Sequence, residues 1–280
     1  FRYREPVLPQ TGPAMFVSQS GETADTLAAL RYCRQNGTPA VAVVNVPESS
    51  IAREAAAIVP TYAGPEIGVA STKAFTAQLS VLAVLALNAA KARGHLLPGD
   101  EVMAVKSLMA LPRKVTEALE AQDDIREIAK TLAPCRDVLF LGRGPNYPLA
   151  LEGALKFKEI TYIHAEGYAA GELKHGPIAL IDEKVPVVVV APSDALLEKT
   201  LSNMHEVAAR GGNIILITDE AGAKHAGDDI NEIILMPEAH ELVQPIIATV
   251  PVQLLAYHTA VFMGTDVDQP RNLAKSVTVE

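Results

Sequence analysis

Tryptophan is absent from the 280 residues, which removes indole stacking as a way to hold a ligand ring. Cysteine occurs only as Cys33 and Cys135, without motif spacing. That excludes a disulfide framework and a cysteine-based zinc site, and it suits a reducing compartment. The seven histidines form no HxxxH pair or His–Cys cluster, so no metal and no cofactor is expected. Positive charge is scarce: 24 Lys and Arg face 33 Asp and Glu, a formal net charge of −9. Nucleic acid and anionic membrane are therefore poor partners. A phosphate ester would also be repelled at long range, so a phosphate site must be built locally from backbone N–H groups and hydroxyls. The longest apolar run, near residues 79–90, is broken by Ser80 and Asn88 and reads as too short to span a bilayer. No signal peptide opens the chain, and a cytoplasmic protein is expected.

What remains is 49% hydrophobic and 20% charged, the balance of a soluble globular enzyme long enough to bury a core without staples. Short β-rich runs alternate with helical stretches. The runs predict strands at Ala14–Val17, Ala40–Val44, Val138–Leu141, Val185–Val190, Ile214–Thr218 and Ile233–Met236. Four consecutive valines, Val187–Val190, suit a strand buried on both faces of a parallel sheet. Helices are predicted at Thr23–Gln35, Thr72–Arg93, Asn146–Ile160 and Leu196–Arg210. The alternation predicts a doubly wound α/β fold.

The expected organisation is a first lobe (1–98), a helical connector (99–133), a second lobe (134–263) and a tail (264–280). A shift of 175 pairs Gly37 with Gly212, Glu66 with Glu241, Gln78 with Gln253 and Leu79 with Leu254, a pattern-level repeat. The second lobe opens with a strand, a Gly-rich loop and a helix (Val138 to Ile160). The first has no counterpart, so an N-terminally truncated first lobe is expected.

Ser18-Gln19-Ser20-Gly21-Glu22-Thr23 lies between a strand and a helix. Its hydroxyls converge where helix-start N–H groups are unpaired, which can bind a dianion; the plain alternative is a Ser N-cap and a Gly turn. Leu141-Gly142-Arg143-Gly144 is a second strand-to-helix turn, without the full dinucleotide fingerprint. Glu152, Lys156 and Glu159, spaced i, i+4, i+7, share one helical face. That face is either solvated, with a helical ion pair, or lines a cleft at the carboxyl ends of the strands. His175, in Glu172-Leu173-Lys174-His175-Gly176-Pro177, is either a surface residue or a general acid/base. The tail from Gly264 has no regular period; it is either frayed or carries a functional amine in Lys275.

Together, Ser18–Leu27 (SQSGETADTL), Glu66–Phe75 (EIGVASTKAF), Leu141–Lys158 (LGRGPNYPLALEGALKFK), Glu172–Pro177 (ELKHGP) and Gly264–Glu280 (GTDVDQPRNLAKSVTVE) resemble the isomerase domains of the glucosamine-6-phosphate synthases. The first motif is common to sugar isomerase domains; the tail is more specific. The resemblance implies two flavodoxin-like, parallel-sheet sugar isomerase lobes and an irregular tail. It implies fructose 6-phosphate and glucosamine 6-phosphate as ligands. It implies that Ser18, Gln19, Ser20 and Thr23 hold the phosphate, and that Val69, Ala70, Ser71, Glu152 and Ala274 line the sugar. Lys275 would form a Schiff base at C2, and Glu159 would move the proton between C1 and C2. His175 would assist ring opening from the other subunit of a homodimer, while Lys156 and Arg271 support the charges. The resemblance also implies an N-terminal glutaminase domain as partner; the chain starts at Phe1, without that domain's Cys nucleophile, and is itself expected not to hydrolyse glutamine. Two alternatives are a stand-alone glucosamine-6-phosphate deaminase of the same superfamily and a non-enzymatic sugar-phosphate sensor. Against the sensor, Glu159, His175 and Lys275 are all present, without a helix-turn-helix segment or a basic stripe.

Overall fold

The computed structural model describes residues 1, 4, 6–8 and 11–277. The last three residues of the tail motif, Thr278, Val279 and Glu280, lie outside the described residues. The chain forms two compact units: Phe1–Ala89 with the chain from Asn272 onward, and Ala90–Arg271.

In the first unit, β1 (Ala14–Ser18), β2 (Ala40–Val44) and β3 (Ala57–Pro60) form a parallel sheet in the order β1-β2-β3. The middle strand carries the burial: Ala40, Ala42, Val43 and Val44 are inaccessible. Helices α1 (Ala24–Gln35) and α2 (Ser50–Glu54) cover one face, where Phe16, Leu30, Cys33, Ala42 and Ile51 share a core. The apolar run after β3 becomes α3 (Lys73–Ala92), a 20-residue helix. Its interrupting polar groups bond their own helix, Ser80 Oγ to Thr76 O and Asn88 Nδ2 to Val84 O. This corrects the reading of that stretch as too short: by length and composition alone, α3 and α9 (Gln244–Met263) each reach the span of a bilayer. Most of α9 is core.

The second unit opens with α4 (Pro98–Leu119) and α5 (Gln122–Leu132), the stretch expected as a connector. In α5, Ile125, Ile128, Ala129 and Leu132 are buried at i, i+3, i+4 and i+7, the stripe of a helix packed on a core. The sheet contains β4 (Asp137–Gly142), β5 (His164–Ala169), β6 (Pro186–Val190), β7 (Asn213–Thr218) and β8 (Glu232–Leu235), all parallel, ordered β5-β4-β6-β7-β8. In chain order this is 2-1-3-4-5, the flavodoxin-like winding, which reverses between β4 and β6. Helices α6 (Asn146–Thr161), α9 and α5 cover the Phe140 face. On the other face Leu141, Val189 and Leu216 pack against Leu173 and against Leu201 and Met204 of α7 (Leu197–Ala208).

Two strands, β3 and β5, escape the hydrophobic pattern. β3 spans four residues and ends on a proline. β5 reads His-Ala-Glu-Gly-Tyr-Ala, and its glycine is required because a side chain at Gly167 would come within 2.9 Å of the α6 backbone at Ala150. Of the pairings expected from the repeat, that of Gly37 with Gly212 is displaced at the turns themselves. Gly37 (φ +77°) donates to Arg34 O and Thr38 to Cys33 O; Gly211 (φ +76°) donates to Ala208 O and Gly212 to Val207 O. Gly37 therefore corresponds to Gly211, an offset of 174, and its pairing with Gly212 is corrected by one residue.

Candidate functional site

The Ser18–Thr23 segment leaves the carboxyl end of β1 and enters α1. Gly21 sits at φ +66°, and a Cβ there would lie 1.9 Å from Ser49 Oγ. Only glycine fits a left-handed conformation against that neighbour. Gly21 O accepts the Ile51 N–H at 3.0 Å, and the Glu22 carboxylate accepts the Ser50 N–H at 2.7 Å. These bonds latch the loop to the start of α2 and hold the Glu22 carboxyl below the usual range, through the backbone and then the side chain of Ser50. Within the loop the Gly21 N–H donates to Ser18 Oγ at 3.0 Å and the Glu22 N–H to Ser20 Oγ at 3.2 Å. Ser18 Oγ and Thr23 Oγ1 are 3.3 Å apart. The Ala24 N–H donates to Val277 O at 3.1 Å. Three N–H groups at this helix start are thus already engaged, and the Ser18 and Thr23 hydroxyls meet beside them. Thr23 makes no side-chain cap bond to the helix.

The loop after β3, residues 61–72, is irregular and is organised by two side chains. Asn45 ties it to the end of β2: its Oδ1 accepts from Thr61 Oγ1 and the Ala63 N–H, and its Nδ2 donates to Gly64 O. Glu66 ties the other end to α3, accepting the Thr72 N–H at 2.7 Å, the Thr72 hydroxyl at 3.3 Å and the Ala74 N–H at 3.4 Å. Val69 and Ser71 are half-buried and Ala70 is buried within this loop. Lys275 reaches the same place: Nζ donates to Gly68 O at 2.7 Å and to Glu66 Oε2 at 3.2 Å. Burial pushes the Glu66 carboxyl up, but the Thr72 N–H, the Lys275 charge and the Ala74 N–H outweigh it, so it lies below the usual range. The phosphate-type loop, the Val69–Ser71 segment and Lys275 therefore all belong to the first unit. Ala274, next to Lys275, is exposed.

In the second unit, α6 sits unusually close to the sheet. A Cβ at Gly153 would meet the Phe140 ring at 2.6 Å and Val252 at 2.9 Å. The close approach carries the polar face down with the helix. Lys156 is 4% exposed, 3.6 Å from Glu152 Oε1 and hydrogen-bonded to Glu159 Oε2. A solvated face is thereby ruled out. One ammonium serves two carboxylates, and Glu152 is pushed up to about 7, chiefly by burial and further by the Glu159 charge, against the pull of Lys156. Such a group changes protonation near neutrality.

Arg271 lies past the C-terminal end of α6. Its N–H donates to Tyr162 Oη at 2.9 Å, and its guanidinium stacks 4.2 Å from the Tyr162 ring centroid. Tyr162 caps α6 in a left-handed conformation. Thr265 Oγ1 also donates to Ile160 O at 2.6 Å, so the first part of the tail is fastened to this helix end. His175 is exposed, on the turn between two short 3-10 helices that follow β5. Sequence reasoning missed Asn45 and Tyr162, and met Glu66 only inside a motif and a repeat pairing; for Asn45 and Tyr162, a polar residue directly after a strand or a helix was the available signal.

A separate cleft of about 350 Å³ opens beyond the carboxyl ends of β6 and β7 in this unit. Pro145, Ser193, Asp194, Asp219, Glu238 and Gln244 are among its lining residues, and none of the expected site residues is. Its carboxylates oppose a phosphate ester. Among the described residues no His, Cys, Asp and Glu group is arranged to hold a metal.

Comparison with known proteins bears on both units. The glutamine–fructose-6-phosphate aminotransferase (isomerizing) of Zymomonas mobilis is 62% identical over 280 residues, which is 100% of this chain and 46% of that protein. The enzyme of the same name from Rhizobium meliloti is 64% identical over 282 residues, again 100% and 46%. The chain thus spans about half the length of the curated relatives it matches. Among solved structures, the C-terminal domain of glucosamine-fructose-6-phosphate aminotransferase from Francisella tularensis aligns with a TM-score of 0.93 at 46% identity, covering 96% of this chain and 76% of that one. A glucosamine-6-phosphate deaminase from Thermotoga maritima shares the fold, with a TM-score of 0.75 at 23% identity over 98% of this chain and 77% of that one. The SIS domain family matches residues 2–88 and 131–263, which take in both sheets, and the chain belongs to that family.

Proposed function

We propose that this chain carries the sugar-phosphate isomerase activity of an enzyme that converts fructose 6-phosphate and ammonia to glucosamine 6-phosphate and water. A glutamine-hydrolysing domain, as in the full-length relatives, supplies the ammonia. The observation that carries this reading is Lys275 fastened at Gly68 and Glu66, in the loop that bears Val69, Ala70 and Ser71. That is an amine of the right type beside the segment expected to line the sugar.

Ser18, Gln19, Ser20 and Thr23 take the phosphate, whose binding energy positions the reacting carbons. The meeting of the Ser18 and Thr23 hydroxyls supports this role in a chain too acidic to attract an anion at long range. His175, contributed by the second subunit of a homodimer, opens the sugar ring by acid/base transfer. The ε-ammonium of Lys275 yields one proton as its nitrogen adds to the C2 carbonyl of the open ketose; that proton and a second from the same nitrogen leave with the carbonyl oxygen as water, and the protonated imine becomes the electron sink. Ammonia displaces the lysine from that imine. Glu159 takes the proton from C1 and returns it to C2, leaving the 2-amino aldose. Glu152, Lys156 and Arg271 balance charge around this transfer. The pathway served is hexosamine synthesis, and free Cys33 and Cys135 suit a cytoplasmic setting.

The test is turnover by the purified full-length protein in D₂O. Solvent deuterium entering C1 or C2 of hexose 6-phosphates, together with glutamine-dependent glucosamine 6-phosphate formation, is expected. Ammonia release from glucosamine 6-phosphate with no synthesis would reassign the chain as a deaminase.

A further inference from the structure

We propose that Glu66 is the positioning residue for Lys275, holding its ε-amino group at the Val69–Ser71 segment through an ionised carboxylate that is itself fixed in advance. The inference rests on the reading of Lys275 as the imine-forming amine.

The two carboxylate oxygens of Glu66 do different things. Oε1 accepts the Thr72 N–H, the Thr72 hydroxyl and the Ala74 N–H, donors at the start of α3. Those groups belong to a helix N-terminus, where a carboxylate is favoured both by unpaired N–H groups and by the helix dipole. Oε2 is turned to Lys275 at 3.2 Å. The Glu66 side chain is 5% exposed and that of Lys275 27% exposed. The acceptor is therefore rigid and buried, while the lysine approaches on a segment without regular secondary structure. A free lysine side chain samples many rotamers, and ordering one costs entropy that must be met before reaction. An ionised carboxylate on a fixed mount, with the Gly68 carbonyl at 2.7 Å, restricts the amine to one direction. A second tie lies two residues on, where Val277 O accepts the Ala24 N–H at the entrance of α1. Lys275 is thus held between the loop that ends in α3 and the loop that enters α1.

A plain helix-capping role for Glu66 makes a different prediction. Glutamine keeps an oxygen for Thr72 and Ala74 but loses the charge offered to Lys275. In the full-length protein, Glu66→Gln is expected to retain binding of sorbitol 6-phosphate, an open-chain analogue without a carbonyl, within about threefold of wild type. Borohydride trapping of labelled fructose 6-phosphate is expected to fall at least about tenfold, with a displaced pH profile. Thr72→Val, which removes one donor to the carboxylate, should give a smaller loss in the same direction, and it serves if Glu66→Gln does not fold. Wild-type trapping rate and pH profile in both variants would overturn the inference, as would parallel losses of sorbitol 6-phosphate binding and trapping. Lys275→Ala is the control: trapping that persists there rejects the imine reading itself, whereas trapping lost in Lys275→Ala but unaffected by Glu66→Gln rejects only the role of Glu66.

Discussion

Lys275 and Glu66 are 209 residues apart in sequence and meet as an ion pair, Nζ to Oε2, at 3.2 Å. The lysine comes from a tail without a helix or strand, and the glutamate from an irregular loop anchored to α3. Each is fixed by contacts the other does not make: Glu66 by Thr72 and Ala74, Lys275 by Gly68. One consequence of this arrangement, and three of other parts of the molecule, can be measured.

Replacing Lys275 with Ala in the full-length enzyme should abolish imine trapping while leaving the fold intact. The pair is partly exposed on the lysine side but buried on the glutamate side, and Glu66 keeps its Thr72 and Ala74 donors, so the melting temperature should fall while the fold survives. Reductive trapping with borohydride and labelled fructose 6-phosphate checks the first point, and a thermal melt the second.

Glu159→Gln should leave sugar-phosphate binding in place and stop exchange of the C1 proton, because an amide cannot accept it. Positioned acid/base groups contribute about 10²- to 10⁴-fold, so exchange should fall by that order. Proton NMR in D₂O reports the exchange, and a binding titration with sorbitol 6-phosphate reports the occupancy.

Glu152 gives the molecule a pH dependence of a definite sign. Its carboxyl rises from 4.5 to about 7 on folding, so the folded state holds a proton that the unfolded chain releases. The resulting stability is complete below pH 4.5 and is lost as pH rises through about 7, by up to about 3 kcal/mol. Urea unfolding at pH 5 and pH 8 should show this fall in the wild type and a smaller one in Glu152→Gln.

Gly21→Ala should damage the hydroxyl loop. The left-handed backbone alone costs an L-residue about 1–2 kcal/mol, and the new methyl group would lie 1.9 Å from Ser49 Oγ. A lower melting temperature together with a raised KM for fructose 6-phosphate is the expected pair of results. Wild-type values for both would show that the loop yields easily.

Several elements were readable in the chain itself. The runs Ala40–Val44 and Val187–Val190 announce buried parallel strands, because a strand covered on both faces needs no polar residue. The i, i+4, i+7 spacing of Glu152, Lys156 and Glu159 puts them on one face of α6 by helical geometry alone. What lay beyond reach was depth. Only packing shows that Gly153 lets α6 settle onto Phe140 and carries Lys156 out of water. β5 was illegible because its Gly167 answers to the backbone of α6 rather than to an alternating pattern.

By itself, then, the sequence determined the parallel α/β class, the punctuation of the loops and the residue types available for chemistry, since these follow from local periodicity and backbone sterics. Tertiary structure alone decided which of those residues meet. The tail has no period to announce its path, and Lys275 reaches Gly68 and Glu66 because hydrogen bonds and burial, not sequence neighbours, fix a segment of irregular chain.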